Sequence, residues 1–242
     1  MPEKVGRART KEEIAPDVLL VDVDMVEPKA MSFRAGQFLS LRLRSDGESR
    51  RSYSIASSPA RSDGFQLVVK LVQGGGGSEF FRTLRPGDLL HFTGPMGFFT
   101  CELEHAGDAV LAVTGSGIAA ALPMIEETLS RPPELEKGRV LLYWGLRRER
   151  DIYFRDRLDT LARESDRFAF HICLSQPEST WKGVNGRITQ HVLTALPRLE
   201  RPTFYLVGNG AMVRELKDGL VDLGVDRKKQ IKTEVFYPAS EP

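Results

Sequence analysis

Cysteine is scarce: Cys101 and Cys173 are the only two in 242 residues. Two widely spaced thiols cannot supply the four ligands of a thiolate iron–sulfur cluster, so no such centre is expected, and both are read as core or surface thiols. No metal site is assigned. An excess of one charge is also lacking: 34 Lys and Arg face 33 Asp and Glu, for a net charge of +1. With a pI near 7.8, the chain is expected to take neither nucleic acid nor a membrane surface as its main partner. No apolar run is long enough to span a bilayer and no secretory signal pattern opens the chain, so no membrane insertion is expected and the cytoplasm is the expected location. The basic, polar stretch Lys4 to Lys11 has no apolar rhythm and is expected to fray, with no role.

What is present falls into two textures. Up to about residue 100, the short segments Val18 to Val23, Phe38 to Leu43, Phe65 to Val72 and Leu89 to Phe92 alternate apolar and polar residues between Gly, Pro, Ser and Asp, which predicts a small antiparallel barrel. From about residue 108, the buried-strand runs Val110 to Thr114, Val140 to Trp144, Phe168 to Leu174 and Thr203 to Val207 alternate with helical stretches around Ile118 to Ser130, Phe154 to Glu164 and Ala211 to Leu223. That alternation predicts a doubly wound parallel sheet. A polar segment at Thr100 to Gly107 separates the two, giving expected domains 1–102 and 103–242.

Two motifs stand out against this background. Arg51-Ser52-Tyr53-Ser54 offers, in order, a cation for a pyrophosphate, a ring to lie against an isoalloxazine, and a hydroxyl for the flavin ring nitrogens. On a strand, Arg51 and Tyr53 share one face and Ser54 takes the other. An ordinary edge strand with a surface arginine has the same pattern. After the run Val68-Val69-Lys70-Leu71-Val72, the glycines Gly74 to Gly77 and Ser78 precede a short helical stretch, Glu79 to Leu84. A glycine loop that opens a helix is an anion site, because backbone N–H groups converge where no side chain intervenes. The second motif, Gly115-Ser116-Gly117, follows one predicted strand and opens a helix, the context in which paired glycines indicate phosphate binding, with Thr114 and Ser116 adding hydroxyls. Simple helix capping by Thr114 or Ser116 is the alternative.

Taken in order, Gly36-Gln37-Phe38, Arg51-Ser52-Tyr53-Ser54, Gly76-Gly77-Ser78, Arg85-Pro86-Gly87-Asp88 and Gly94-Pro95-Met96-Gly97 resemble the flavin half of the ferredoxin–NADP reductase family. Gly115-Ser116-Gly117-Ile118-Ala119, Gly145-Leu146-Arg147 and Gly208-Asn209-Gly210-Ala211-Met212 resemble its pyridine-nucleotide half. The resemblance implies a six-stranded antiparallel flavin-binding barrel followed by a doubly wound nucleotide-binding domain. It implies FAD held by Arg51, Ser52, Tyr53, Ser54, Val69, Lys70, Leu71, Gly76, Gly77, Ser78 and Phe236, and NAD(P)H held by Thr114, Gly115, Ser116, Gly117, Arg147, Ser175, Gln176, Gly208, Asn209, Gly210 and Met212. Ser54, Tyr53 and Glu234 are the implied catalytic residues. The chain departs from the family's pattern at Ala120, where relatives carry proline, at Gln176, where an arginine often meets a 2′-phosphate, and at Val207, where many carry cysteine. A neutral amide at Gln176 favours NADH, while Arg147 remains a cation within the same region.

The final strand Thr233 to Tyr237 places Glu234 and Phe236 on one face, with Phe236 a candidate shield over the flavin. Trp181 is read as a packing residue. The implied activity is transfer of a hydride between NAD(P)H and FAD and of single electrons between FAD and a protein carrier, ferredoxin or flavodoxin, with Arg82 and Arg85 available to steer an acidic carrier. The alternatives are the reductase component of a multicomponent oxygenase or other redox complex, and a non-catalytic nucleotide-binding regulatory subunit.

Overall fold

A computed structural model describes residues 1–43, 49–101, 107–132 and 138–236. The first half is a barrel. Strands β1 (Lys4–Ala15), β2 (Val18–Glu27), β3 (Phe38–Arg42), β4 (Arg50–Ser54), β5 (Gly64–Lys70) and β6 (Leu89–Met96) form one antiparallel sheet in the order β4-β3-β6-β1-β2-β5. A pairing of Ile55 with Leu67 joins its two edges. Leu39, Leu41, Phe65, Leu67, Leu90 and Phe92 fill the interior, where the rings of Phe65 and Phe92 meet edge to face at 5.2 Å. Helix α1 (Gly76–Thr83) follows β5.

The basic stretch at the start does not fray. It is the 12-residue strand β1, paired to β2 on one side and β6 on the other. Its inward positions are Gly6 and Ala8, small because the neighbouring strands already fill the space: a Cβ on Gly6 would lie 2.5 Å from Val23 Cγ1. The usual signature of alternating large apolar residues is therefore missing. β1 also positions the candidate flavin corner, since Lys11 Nζ donates to the carbonyls of Phe81 (3.2 Å) and Arg82 (2.9 Å) at the end of α1.

The second half is a parallel sheet, β7 (Ala109–Thr114), β8 (Val140–Leu146), β9 (Phe168–Leu174), β10 (Val184–Asn185), β11 (Thr203–Asn209) and β12 (Ile231–Phe236), in the order β10-β9-β8-β7-β11-β12. Helices α2 (Ile118–Leu129) and α3 (Arg155–Glu164) pack on one face; α4 (Ile188–Ala195) and α5 (Gly210–Asp222) cover the other. The first face is also where the halves meet. Val18, Ala35, Ala56, Val68 and Phe99 join Tyr205, Val207 and the apolar side of α2 in one core. The expected boundary between residues 102 and 103 falls outside the described residues.

The far ends of three strands are tied by Asp108, almost wholly buried. Its carboxylate accepts from Arg139 N (3.0 Å), Arg139 Nη2 (2.6 Å) and Glu200 N (2.9 Å). Burial pushes this carboxyl up, but the hydrogen bonds from Arg139 and Glu200 outweigh it and hold the group below the ordinary carboxylate range. The stabilisation is therefore fully present above the unfolded value of about 3.9 and is lost as pH falls through the lower folded one. Asp108→Asn is expected to destabilise the fold by roughly 2–3 kcal/mol at pH 7 and by less once the pH falls below the unfolded value of about 3.9, as read from urea unfolding on both sides of that value.

Candidate active site

β4 carries the first motif as its residue types suggest. Arg51 and Tyr53 lie opposite Leu41 and Leu39 of β3, and Ser54 lies opposite Phe38 on the other face. Tyr53 packs edge-on against Phe81 of α1, with ring centroids 5.0 Å apart, and its hydroxyl covers Gly77, where a Cβ would sit 2.3 Å from it. Only glycine lets the ring reach the start of the helix. Burial raises the Tyr53 phenol to about 12 against the opposing pull of the Arg51 charge, so the ring stays neutral.

The expected glycine loop is the first turn of α1, beginning at Gly76. No side chain caps that end. Its leading N–H groups are left for a ligand or water, beside the exposed Arg51, and together they form an anion corner. Ser78 faces inward: its hydroxyl accepts from Val72 N at 2.8 Å and fixes the approach to the helix. Val69 points into the barrel, Leu71 packs at its margin, and Lys70 Nζ donates to the Pro16 carbonyl at 2.8 Å, so positions 69 and 71 offer the corner chiefly backbone. Ser52 is exposed.

In the second half, the turns after β7 and β11 meet where the strand order reverses, the usual ligand crevice of such sheets. Gly115 has φ +54°, and no atom lies within 4 Å of where its Cβ would be. A Cβ on Gly117 would lie 2.9 Å from the Val207 carbonyl oxygen. Gly208 has φ +125°, with Thr114 Oγ1 2.3 Å from its Cβ position. The Thr114 hydroxyl accepts from Asn209 N at 2.8 Å, locking the two turns together. Neither Thr114 nor Ser116 caps a helix through its side chain. Asn209 does: its side-chain oxygen accepts from Ala211 N and Met212 N at the start of α5, and Met212 is buried beneath the turn. Gly210 stands against Val235. The two turns thus present backbone and open space to the crevice, as a dinucleotide pyrophosphate requires.

Two further loops stand at the ends of β8 and β9. Ser175 N donates to the Leu146 carbonyl at 3.1 Å and Gln176 N to the Arg147 carbonyl at 2.9 Å, which holds the exposed side chains of Arg147, Ser175 and Gln176 side by side. Trp181 packs against the core and donates to the Val184 carbonyl at 3.2 Å.

A polar contact also joins the two halves. Ser54 Oγ donates to Glu234 Oε1 at 3.2 Å, across 180 residues of chain. The β11–β12 register sets Glu234 beside Val207 and Phe236 beside Asn209, so this contact adjoins the glycine turn. Burial raises the Glu234 carboxyl to about 7, with the Ser54 hydrogen bond pulling the other way. Tyr237 lies outside the described residues. A cation, a neutral ring and an uncapped helix on one side, and glycine cradles on the other, thus converge on a hydroxyl–carboxyl pair.

Two family descriptions match this division: an oxidoreductase FAD-binding domain over residues 6–101 and an oxidoreductase NAD-binding domain over residues 111–218. Ferredoxin--NADP reductase B of Sorangium cellulosum is 35% identical over 229 residues, covering 89% of this chain and 90% of that protein. The chain belongs to the ferredoxin–NADP reductase family. It is an oxidoreductase with FAD-binding and NAD-binding domains. Within the family it is also similar to the reductase component DmpP of phenol 2-monooxygenase from a Pseudomonas species, 30% identical over 72% of this chain, although it spans only 48% of that longer protein. The crystal structure of the Amycolatopsis cytochrome P450 reductase GcoB superposes with a TM-score of 0.88 at 28% identity, covering 99% of this chain and 71% of that one. Trp144 and Tyr153 hold the turn before α2 from behind: their side chains both donate to the Gly115 carbonyl. In the sequence Trp144 reads as the end of a buried-strand run, and nothing marks Tyr153.

Proposed function

We propose that this chain is a cytoplasmic NAD(P)H-dependent flavoprotein reductase that serves a protein electron carrier such as a ferredoxin or flavodoxin. FAD, when bound, takes a hydride as an electron pair and releases electrons singly. In this reading residues 1–102 hold the flavin and residues 103–242 the nucleotide. Arg51 and the α1 N-terminus hold the flavin pyrophosphate, and Tyr53 lines the isoalloxazine. The backbone at Ser52 and Val69 to Leu71, with Gly76 to Ser78, completes the corner. Thr114 to Gly117 and Gly208 to Gly210, supported by Met212, orient the nicotinamide half, while Arg147, Ser175 and Gln176 meet the adenosine. The uncharged Gln176 favours NADH over NADPH. Phe236 shields the flavin face until nicotinamide arrives. Ser54 and Glu234 hold a proton where hydride transfer takes place.

The Ser54–Glu234 hydrogen bond carries this reading, because it joins the candidate flavin motif to the strand beside the nucleotide turn. Reduction of a ferredoxin by NADH or NADPH in the presence of the FAD-loaded protein tests it; no transfer with either nucleotide would refute it. Phe98 supports the carrier assignment. It is 99% exposed, and it follows Gly97, which packs on the ring of Phe38, the cross-strand neighbour of Ser54. An exposed aromatic so near the site suits an incoming protein. Phe98→Ser is expected to raise the KM for the carrier roughly fivefold while leaving ferricyanide reduction unchanged, as steady-state assays with the two acceptors will show. A second reading, the reductase component of an oxygenase system, draws on the likeness to GcoB and DmpP. Co-purification of a stable oxygenase partner would favour it over a diffusing carrier.

A further inference from the structure

We infer that Trp144 and Tyr153 are positioning residues of the nucleotide turn: by holding the Gly115 carbonyl from the core side, they aim the Ser116 amide at the dinucleotide. The inference rests on the proposed nucleotide site. Trp144 Nε1 donates to the Gly115 oxygen at 2.9 Å and the Tyr153 hydroxyl at 3.3 Å. Both donors are buried, Trp144 completely, so the carbonyl points into the protein. In a trans peptide, C=O and N–H point in opposite directions. The amide of Ser116, which shares that peptide, is therefore turned away from the two core donors; the Cβ position of Gly115 beside it also meets no atom within 4 Å. Two donors on one carbonyl use both of its lone pairs and fix the peptide plane. Gly115 itself has φ +54°, a left-handed setting that glycine takes without strain.

The surroundings keep Tyr153 in place. Its ring meets Trp144 edge to face at 4.9 Å and Phe154 at 5.1 Å. Phe154 itself adopts φ +57°, a conformation L side chains rarely take. Arg157 lies over the Phe154 ring, 5.9 Å from its centre, and bonds Glu126 of α2 at 2.6 Å. The same helix that the turn opens is thereby tied to the segment bearing Tyr153. Burial, together with the Asp151 charge, holds the Tyr153 phenol well above its usual range, so the hydroxyl remains a donor throughout the working pH range.

The bland reading is that two buried aromatics have simply found an acceptor. Tyr153→Phe separates the two, since it keeps the ring and removes the donor. Calorimetric titration of the FAD-loaded protein with NAD+ and NADP+ is the test, with thermal midpoint and flavin content recorded alongside. The expected result is a Kd three- to tenfold weaker for whichever nucleotide the wild type binds, flavin content unchanged, and kcat at saturation within about twofold, so that the loss appears in KM. Trp144→Phe, which removes the other donor, is expected to weaken binding in the same direction. A lowered thermal midpoint with unaltered Kd in Tyr153→Phe would overturn the inference alone. A wild type that binds neither nucleotide would overturn the functional reading, and the inference with it.

Discussion

Gly208→Ala is expected to lose about a hundredfold or more in kcat/KM for either pyridine nucleotide while the protein still binds flavin. Gly208 sits at φ +125°, and its Cβ position lies 2.3 Å from Thr114 Oγ1 and 2.7 Å from the Thr114 carbonyl oxygen. The first contact could be relieved by rotating the Thr114 side chain, but that would break its bond to Asn209 N. The second is to backbone in the strand β7 and yields only if the two turns separate. Strained backbone of this kind costs on the order of 1–3 kcal/mol and overpacking a similar amount. At about 1.4 kcal/mol for each factor of ten, a hundredfold loss follows if most of that strain falls on the crevice. The atoms nearest the Gly208 Cβ position all belong to Thr114, whereas those nearest Gly77 in the barrel corner belong to Tyr53 and Arg51, so flavin content should survive. Steady-state kinetics with both nucleotides, beside the flavin absorbance per protein, check both halves of this expectation.

Ser54→Ala is expected to slow flavin reduction roughly a hundredfold, with the nucleotide KM within about twofold, because in the proposed mechanism the hydroxyl it removes acts at the reacting centre rather than in uniform binding. Glu234→Gln should act differently, through pH. The Glu234 carboxyl is raised to about 7 by burial, so it is largely neutral at pH 6 and largely charged at pH 8. In the proposed mechanism the charged carboxylate lies beside the path of the arriving hydride, opposes the incoming negative charge and also claims the Ser54 hydrogen. Flavin reduction should therefore slow as pH rises through about 7 in the wild type, and this transition should be absent in Glu234→Gln. Stability follows the same sign. Between the unfolded value near 4.3 and the folded one the native state binds more protons, so this group's contribution falls across that window and levels off above it. Stopped-flow reduction from pH 5.5 to 8.5 tests the first statement and thermal melts over the same range the second.

The sequence revealed most where residue type must answer to backbone or chemistry. β2 and the later principal strands of both halves were legible because large apolar residues occupy their inward positions. β1 was not, because its inward residues are Gly6 and Ala8 and its outward ones are charged. α1 begins at Gly76, three residues before the expected Glu79, because glycine carries little helix propensity and reads as loop. The short α4 and the two-residue β10 leave too little periodicity to detect. In the candidate site, Arg51, Tyr53 and Ser54 and the glycines at 115, 117 and 208 could be picked out from residue type alone, since few other residues suit the roles proposed for them. The donors behind the Gly115 carbonyl did not. Trp144 and Tyr153 look like core aromatics until strand order brings them under the turn. The meeting of Ser54 with Glu234 is equally beyond local pattern, and only the family resemblance had put the two in one site.

The most direct test of the account is anaerobic titration of the purified, FAD-supplemented protein with NADH and, separately, with NADPH, following the oxidised-flavin band near about 450 nm. The account predicts a yellow protein whose band is bleached by a stoichiometric amount of nucleotide, faster with NADH as Gln176 implies. A protein that takes up no FAD, or that holds FAD unreduced by either nucleotide, would contradict it.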